Sequence, residues 1–185
     1  MPSLNDLTAG TWTVDPAHSE LSFSVRHLMV AKVRGKFATF TGAVEVGAPA
    51  TASKVTATVQ LASVDTGSAD RDAHLKSPDF FDTEKNPEMA FVSTSVTDST
   101  LVGDLTIKGV TKPVTFDIEF NGVAADPWGN TKAGFEAETE INRKDWGPDM
   151  ERGDRGRRRA RRREGQDHAR HRAPQDLIPL LPGGC

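Results

Sequence analysis

Four stretches of the chain alternate apolar and polar residues with a period of two, which is the signature of half-buried β-strands. Over 19–26, Leu21, Phe23 and Val25 share one face, while Glu20, Ser22, Ser24 and Arg26 share the other. Over 54–61, Val55, Ala57, Val59 and Leu61 alternate with Thr56, Thr58 and Gln60. Over 113–120, Val114, Phe116, Ile118 and Phe120 alternate with Thr115, Asp117 and Glu119. Over 134–141, Phe135, Ala137, Thr139 and Ile141 alternate with Glu136, Glu138 and Glu140. Weaker runs cover 32–46, 88–96 and 101–107. One apolar and one wet face per strand predicts antiparallel sheets. Turn signals separate the runs at Gly47-Ala48-Pro49, Asp98-Ser99, Lys108-Gly109 and Asp126-Pro127-Trp128-Gly129-Asn130. A single helix is predicted over 68–76, with Ser68 or Asp70 as its N-cap, acids early and Lys76 late. No βαβ pattern and no internal repeat occurs. The fold class is therefore all-β, a sandwich or a closed barrel. The inward faces mix Phe and Leu with Ala, Ser and Thr, and small residues of that kind leave room for a cavity in a barrel.

Composition narrows the function classes. Hydrophobic residues are 36% of the 185, enough for one core, and no apolar run approaches the ~20 residues of a membrane helix. The N-terminal stretch has neither a basic segment nor an apolar core, so no secretory signal is expected there and a cytoplasmic location is. The only cysteine, Cys185, excludes an internal disulfide framework, a CxxC redox pair and a cysteine-based zinc site.

The net charge of −3 conceals two unlike segments. Residues 1–147 hold nine Lys, four Arg and 20 Asp+Glu, whereas residues 148–185 hold ten Arg, no Lys and six Asp+Glu. The second segment also lacks Phe, Trp and Val. It is expected to be an Arg-rich, disordered tail following a domain over 1–147.

Several side chains invite a chemical reading. His18 with Asp15 and Ser19 suggests a Ser-His-Asp site, but such triads are recognised by geometry and the spacing offers none, so strand-entry hydrogen bonds are the simpler reading. His18, His27 and His74 with Asp15, Asp70 and Asp72 form a candidate metal set, without the helical i, i+4 pairing of histidines. His27 falls on the parity of Leu21, Phe23 and Val25, at the end of their strand, where it would hydrogen-bond a ligand head group or simply sit near the barrel end. Arg71 either pairs with Asp72 on the helix surface or meets a phosphate or carboxylate, which a guanidinium suits. Phe80 and Phe81, between Pro78 and Pro87, either plug one barrel end or form an apolar portal through which lipid enters at a membrane surface. Leu21, Phe23, Val25, Val59, Phe91, Val114, Phe116, Ile118, Phe120 and Phe135 are core in a packed barrel and ligand-binding lining in a hollow one.

Ordered motifs over about 11–147 resemble one family. Trp12-Thr-Val-Asp15-Pro-Ala-His18-Ser19, Phe23-Ser-Val-Arg26-His27-Leu28 and Val33-Arg-Gly35-Lys-Phe37 open the likeness. Arg71-Asp72-Ala-His74-Leu75, Ser77-Pro-Asp79-Phe80-Phe81-Asp82 and Pro87-Glu-Met-Ala-Phe91 continue it. Gly103-Asp-Leu105-Thr106-Ile107-Lys108-Gly109-Val110-Thr111-Lys112-Pro113-Val114 and Ile141-Asn142-Arg143-Lys-Asp145-Trp146-Gly147 complete it. The chain resembles the YceI-like family of bacterial polyisoprenoid-binding proteins. The resemblance implies an extended, lipocalin-like antiparallel barrel whose apolar tunnel holds an isoprenoid, a quinone or a similar long-chain lipid. It implies a binding or transport protein rather than an enzyme, with no metal and no cofactor beyond bound lipid. A homodimer and transient contact with a membrane surface are compatible with it. Two alternatives stand beside this reading: a hydrolase using His18 or His27, and a β-domain whose basic tail binds nucleic acid.

The family continues past Gly147 with further strands, whereas this chain turns Arg-rich. One extra nucleotide near codon 147 or 148 accounts for the break. Dropping the first nucleotide from the Pro148 codon onward gives a frame in which Pro-Asp-Met-Glu permits Leu-Thr-Trp-Asn. In the same frame residues 164–171 permit the alternating Lys-Val-Lys-Ile-Thr-Leu-Asp-Ile. The expectation from this frameshift is a barrel without its closing C-terminal strands.

Overall fold

The structure, a computed structural model, describes residues 3–27, 31–147 and 177–182. Its strands are β1 (Gly10–Val14), β2 (Leu21–His27), β3 (Ala31–Phe37), β4 (Phe40–Val46), β5 (Lys54–Gln60), β6 (Val64–Asp65), β7 (Glu88–Val96), β8 (Thr100–Ile107), β9 (Val110–Ala125), β10 (Thr131–Glu138) and β11 (Leu177–Pro182). One helix, α1, covers Ala69–Lys76. The four strong alternations all became strands. The weak run over 32–46 is two strands, β3 and β4, separated at Ala38-Thr39 and belonging to different sheets. Ser68 is the N-cap of α1 by position, but its side chain makes no capping bond.

Eight strands form a closed antiparallel barrel in the order β1-β11-β10-β9-β8-β7-β5-β4, and β2-β3-β6 form a separate three-stranded sheet. The backbone of the barrel is the run β7-β8-β9-β10, in which β8 pairs with β9 from Thr100↔Asp117 to Ile107↔Val110 without a break. Two irregularities bend the wall, at Ser93/Ser95 in β7 and at Gly134/Phe135 in β10. Bulges of this kind add twist and help a sheet to curl.

The open ring expected from the shifted tail is not what is found. Leu177–Pro182 pairs with β10 from Glu136↔Leu177 to Ala133↔Leu180, and with β1 from Val14↔Leu180 to Trp12↔Pro182. Leu177-Ile-Pro-Leu-Leu-Pro182 is apolar enough to extend along the seam, although its two prolines cannot donate to a ladder. The rest of the predicted disordered tail, 148–176 and 183–185, lies outside the described residues.

Two apolar clusters occupy the interior. One is built from Phe37, Val59, Leu61, Val64, Phe81, Phe91, Leu105, Ile107, Val114 and Trp146. The other is built from Leu4, Leu7, Trp12, Val46, Ala50, Val96, Phe120 and Ala133. Val55 and Leu101 pack against both. Trp12 and Trp146 each satisfy their indole N–H on a backbone carbonyl, Thr8 at 3.0 Å and Leu105 at 3.1 Å. Buried indoles need such partners, because an unmade bond costs more than a made one gains.

Candidate functional site

The two clusters do not meet as a solid core. Between them lies a cavity of about 410 Å³, lined almost wholly by apolar side chains from both. Leu4, Leu7 and Val96 reach it from one cluster, and Phe37, Val59, Phe81, Phe91, Leu105 and Ile107 from the other. Small residues keep the space open: Gly42, Ala43, Ala57 and Ala137 of β4, β5 and β10 are among the lining residues. Larger side chains at those positions would fill the cavity.

Local sequence positions the aromatic walls. Gly35 of β3 lies opposite Phe23 of β2, and a Cβ at Gly35 would meet the Phe23 ring at 2.5 Å. Gly103 of β8 does the same for Phe91 of β7: a Cβ there would fall on the Phe91 ring. Each glycine thus provides a floor on which a phenylalanine ring lies. Phe91 meets Phe116 edge-on at a centroid distance of 5.3 Å, and Phe23 contacts Phe37 at 5.4 Å. Such pairs contribute ~0.5–1.5 kcal/mol beyond area burial and also fix ring orientation.

Of the residues singled out from the sequence, Leu21, Phe23, Val25, Val59, Phe80, Phe81, Phe91, Phe116, Ile118 and Phe135 line the cavity. Val114 and Phe120 do not. Val114 is buried in the first cluster, and Phe120 is buried in the second, its ring tilted against Phe135 at a centroid distance of 4.8 Å. Phe80 and Phe81 pack edge-on at 5.2 Å, and Phe81 reaches Phe37 at 6.2 Å. The pair is thus part of the wall at the α1 end rather than a surface patch. Arg71 is not at the cavity: its Nε donates to Thr66 Oγ1 at 2.7 Å and its Nη2 to the Thr66 carbonyl at 2.8 Å. Asp72 accepts from the Thr66 N–H at 3.0 Å, so both side chains fasten α1 to the end of β6 instead of pairing with each other. The side chain of His27 lies outside the described residues.

The expected wet face of β2 is corrected. Ser22 and Ser24 line the cavity together with Leu21, Phe23 and Val25, and Ser24 is buried. Among the described strands β2 has one ladder partner, β3. With both parities facing inward, it presents an edge rather than a face to the cavity.

Asp15 and His18 do come together, but outside the cavity lining. His18 Nδ1 lies 2.7 Å from Asp15 Oδ2, Lys132 Nζ donates to the same oxygen at 3.2 Å, and the Ala17 N–H donates to Asp15 Oδ1 at 3.0 Å. The His18 hydrogen bond foremost, with the Ala17 and Lys132 donors, holds the Asp15 carboxyl below the usual carboxylate range against the opposing effect of burial. This cluster links β1 to β10 and has the form of a strand-entry clasp. Among the described residues, no three His, Cys, Asp or Glu side chains gather as a metal site. Also among the described residues, no helix is long and apolar enough to cross a membrane.

Sequence reading missed Leu4 and Leu7, carried by a short 3-10 turn at Leu4–Asp6 whose capping box (Ser3 with Asp6) is a legible signal. It also missed Leu75, Met89 and Arg143 as lining residues. Arg143 lies beyond β10, on the 3-10 turn Arg143–Trp146, where alternation no longer gives a direction.

Comparison with known proteins agrees with this architecture. The sequence profile described as "YceI-like domain" matches residues 12–162. The UPF0312 protein SAS2572 of Staphylococcus aureus (strain MSSA476) is 46% identical over 138 residues, covering 74% of this chain and 81% of that protein. A crystal structure of the Campylobacter jejuni YCEI protein superposes with a TM-score of 0.57 at 34% identity, over 71% of this chain and 81% of that one. A polyisoprenoid binding domain from Saccharophagus degradans shares the fold at a TM-score of 0.64 and 12% identity, over 93% of this chain and 98% of that one. A curled antiparallel barrel around an apolar cavity, the ordered motifs and these likenesses together make this chain a member of the YceI-like domain family.

Proposed function

We propose that the protein holds a long-chain apolar molecule, an isoprenoid or a similar lipid, inside its barrel and carries or stores it without chemical change. The observation that carries this reading is the apolar cavity of about 410 Å³ lined by side chains of both clusters. Apolar burial suffices for affinity: each methylene removed from water contributes ~0.8 kcal/mol, so ten buried groups offer ~8 kcal/mol before the cost of association. The description of the Saccharophagus domain as polyisoprenoid-binding supports the same ligand class. The absence of turnover is supported by the position of the Asp15–His18 pair, which is not among the lining residues.

Mass spectrometry of an organic extract of the purified protein tests the proposal. The expected result is one long-chain lipid class in near-stoichiometric amount, displaced by added prenyl alcohol. Protein that yields no lipid and takes up no prenyl alcohol refutes it.

A further inference from the structure

Two charged side chains stand among the lining residues: Glu20, which is exposed to solvent, and Arg143, which does not fit an all-apolar ligand. Arg143 faces the cavity, yet its Nε is fully buried and has no hydrogen-bond partner. Neither Asp15, which pairs with His18 and Lys132, nor Asp82, which pairs with Lys85, is its partner. A buried donor left unpaired costs ~1–3 kcal/mol, and more when it belongs to a charged group. An arginine kept in that state has a partner missing from the folded chain.

The position of Arg143 is fixed by its neighbours. It opens the 3-10 turn Arg143–Trp146, capped by Asn142, whose side chain accepts from the Lys144 N–H at 3.1 Å. The turn is pinned at its other end by Trp146, which is buried in the first cluster and bonded to the Leu105 carbonyl. Ile141, just before it, packs on the same cluster. The turn that carries Arg143 is thus seated on the first cluster, and Arg143 lines the same cavity as Leu4 and Leu7 of the second.

We propose that Arg143 is the polar anchor of the cavity and that it selects ligands with an oxyanion head group, a carboxylate or a phosphate, on a long apolar tail. This rests on the lipid-binding reading above and adds its polarity. A guanidinium offers Nε–H and Nη–H as a flat fork that matches two oxygens of one such group. In this arrangement the head group pairs with Arg143 and the tail extends along the aromatic walls toward the second cluster. The partner is thus an anionic amphiphile, and neutral lipids of the same length bind more weakly.

Titration calorimetry of the full chain with dodecanoate, dodecyl phosphate and dodecanol separates the possibilities, because the three share one tail. Both anions, or one of them, are expected to bind ten to a hundredfold more tightly than the alcohol, in line with the worth of a charge-assisted bond. If only one does, that identifies the head group. Arg143→Met should bring the anions down to the alcohol's affinity while leaving alcohol binding in place. Its ligand-free melting temperature should equal or exceed that of the parent, since an uncompensated buried donor has been removed. Should Arg143→Met fail to fold, Arg143→Lys carries the same comparison, keeping a cation but losing the fork, with an intermediate preference expected. Equal affinity for all three ligands in the parent protein, or an unchanged preference in the variant, overturns the anchor while the lipid-binding reading stands. A fall in ligand-free melting temperature on Arg143→Met overturns it too, by making the guanidinium structural. Failure of all three to bind removes the lipid-binding reading and the anchor with it.

Discussion

The wall β7-β8-β9-β10 and the seam β10-β11-β1 close the same ring by different means. The wall has long ladders, up to the eight consecutive pairs between β8 and β9, and its inward aromatics interlock. The seam strand pairs four residues with β10 and three with β1, and two of its six residues are prolines. Closing it also brings together segments far apart in the chain, a loop-closure cost that grows slowly with separation but is not offset by a long ladder. The seam is supplemented by a side-chain tie, Lys132 of β10 to Asp15 just after β1. The difference teaches that the ring is closed mainly by packing on one side and by a few polar contacts on the other.

The largest effect is expected in the wall. Phe91 is buried, sits on Gly103 and meets Phe116. Phe91→Ala should cost ~3–5 kcal/mol, since it removes a large apolar group and enlarges an existing void. Urea denaturation checks this, and a loss below 1 kcal/mol would mean that the wall does not dominate. Gly103→Val tests the same contact from the other strand. The new side chain would occupy the space of the Phe91 ring, and overpacking of that kind costs ~1–3 kcal/mol. Because Phe91 lines the cavity, the substitution should also weaken lipid uptake.

Ending the chain at Gly147 removes the seam strand entirely, yet its effect on stability is expected to be smaller than that of Gly103→Val. The visible consequence should be association, because β1 and β10 would each present an unpaired edge. Light scattering coupled to gel filtration over a range of concentrations reads this. A truncated protein that stays monomeric but melts far below Gly103→Val would reverse the ranking of wall and seam.

The same contrast explains what the sequence disclosed. In the wall the period-two alternation over 113–120 and 134–141 is strong, and it located β9 and β10 within a few residues. It also oriented Phe116, Ile118 and Phe135 toward the cavity. Parity alone could not separate lining residues from those packed within the clusters, so Val114 and Phe120 looked the same as Phe116. Parity misled at β2, where Ser22 and Ser24 line the cavity beside Leu21, Phe23 and Val25, and Ser24 is more deeply buried than Phe23 or Val25. β6 has two residues, too few for any period to show. β11 carries two prolines, which argue against a strand flanked on both sides. Arg71 and Arg143 show the limit for chemistry. Both are arginines in ordered motifs, and only their surroundings, Thr66 for one and an unpaired buried Nε for the other, tell an anchor of the helix from a group that lacks a partner.

The smallest expected effect belongs to the tie across the seam. Lys132→Met should cost less than ~1 kcal/mol, because Lys132 is partly exposed and Asp15 retains His18 and the Ala17 N–H. Asp15 itself gives a sharper reading through pH. Its carboxyl titrates below the ordinary value in the folded protein, so the folded state binds a proton there less readily than the unfolded chain does. The stabilisation it provides is therefore complete above about pH 4, the carboxylate's unfolded value, and is lost as pH falls through the lower folded value. Relative to Asp15→Asn, the parent protein should be more stable at pH 5 and above, and the gap should close steadily toward pH 2. A gap of constant size from pH 5 to pH 2 would mean that the carboxylate does not hold β1 to β10, and that the short ladders of β11 carry the seam without it.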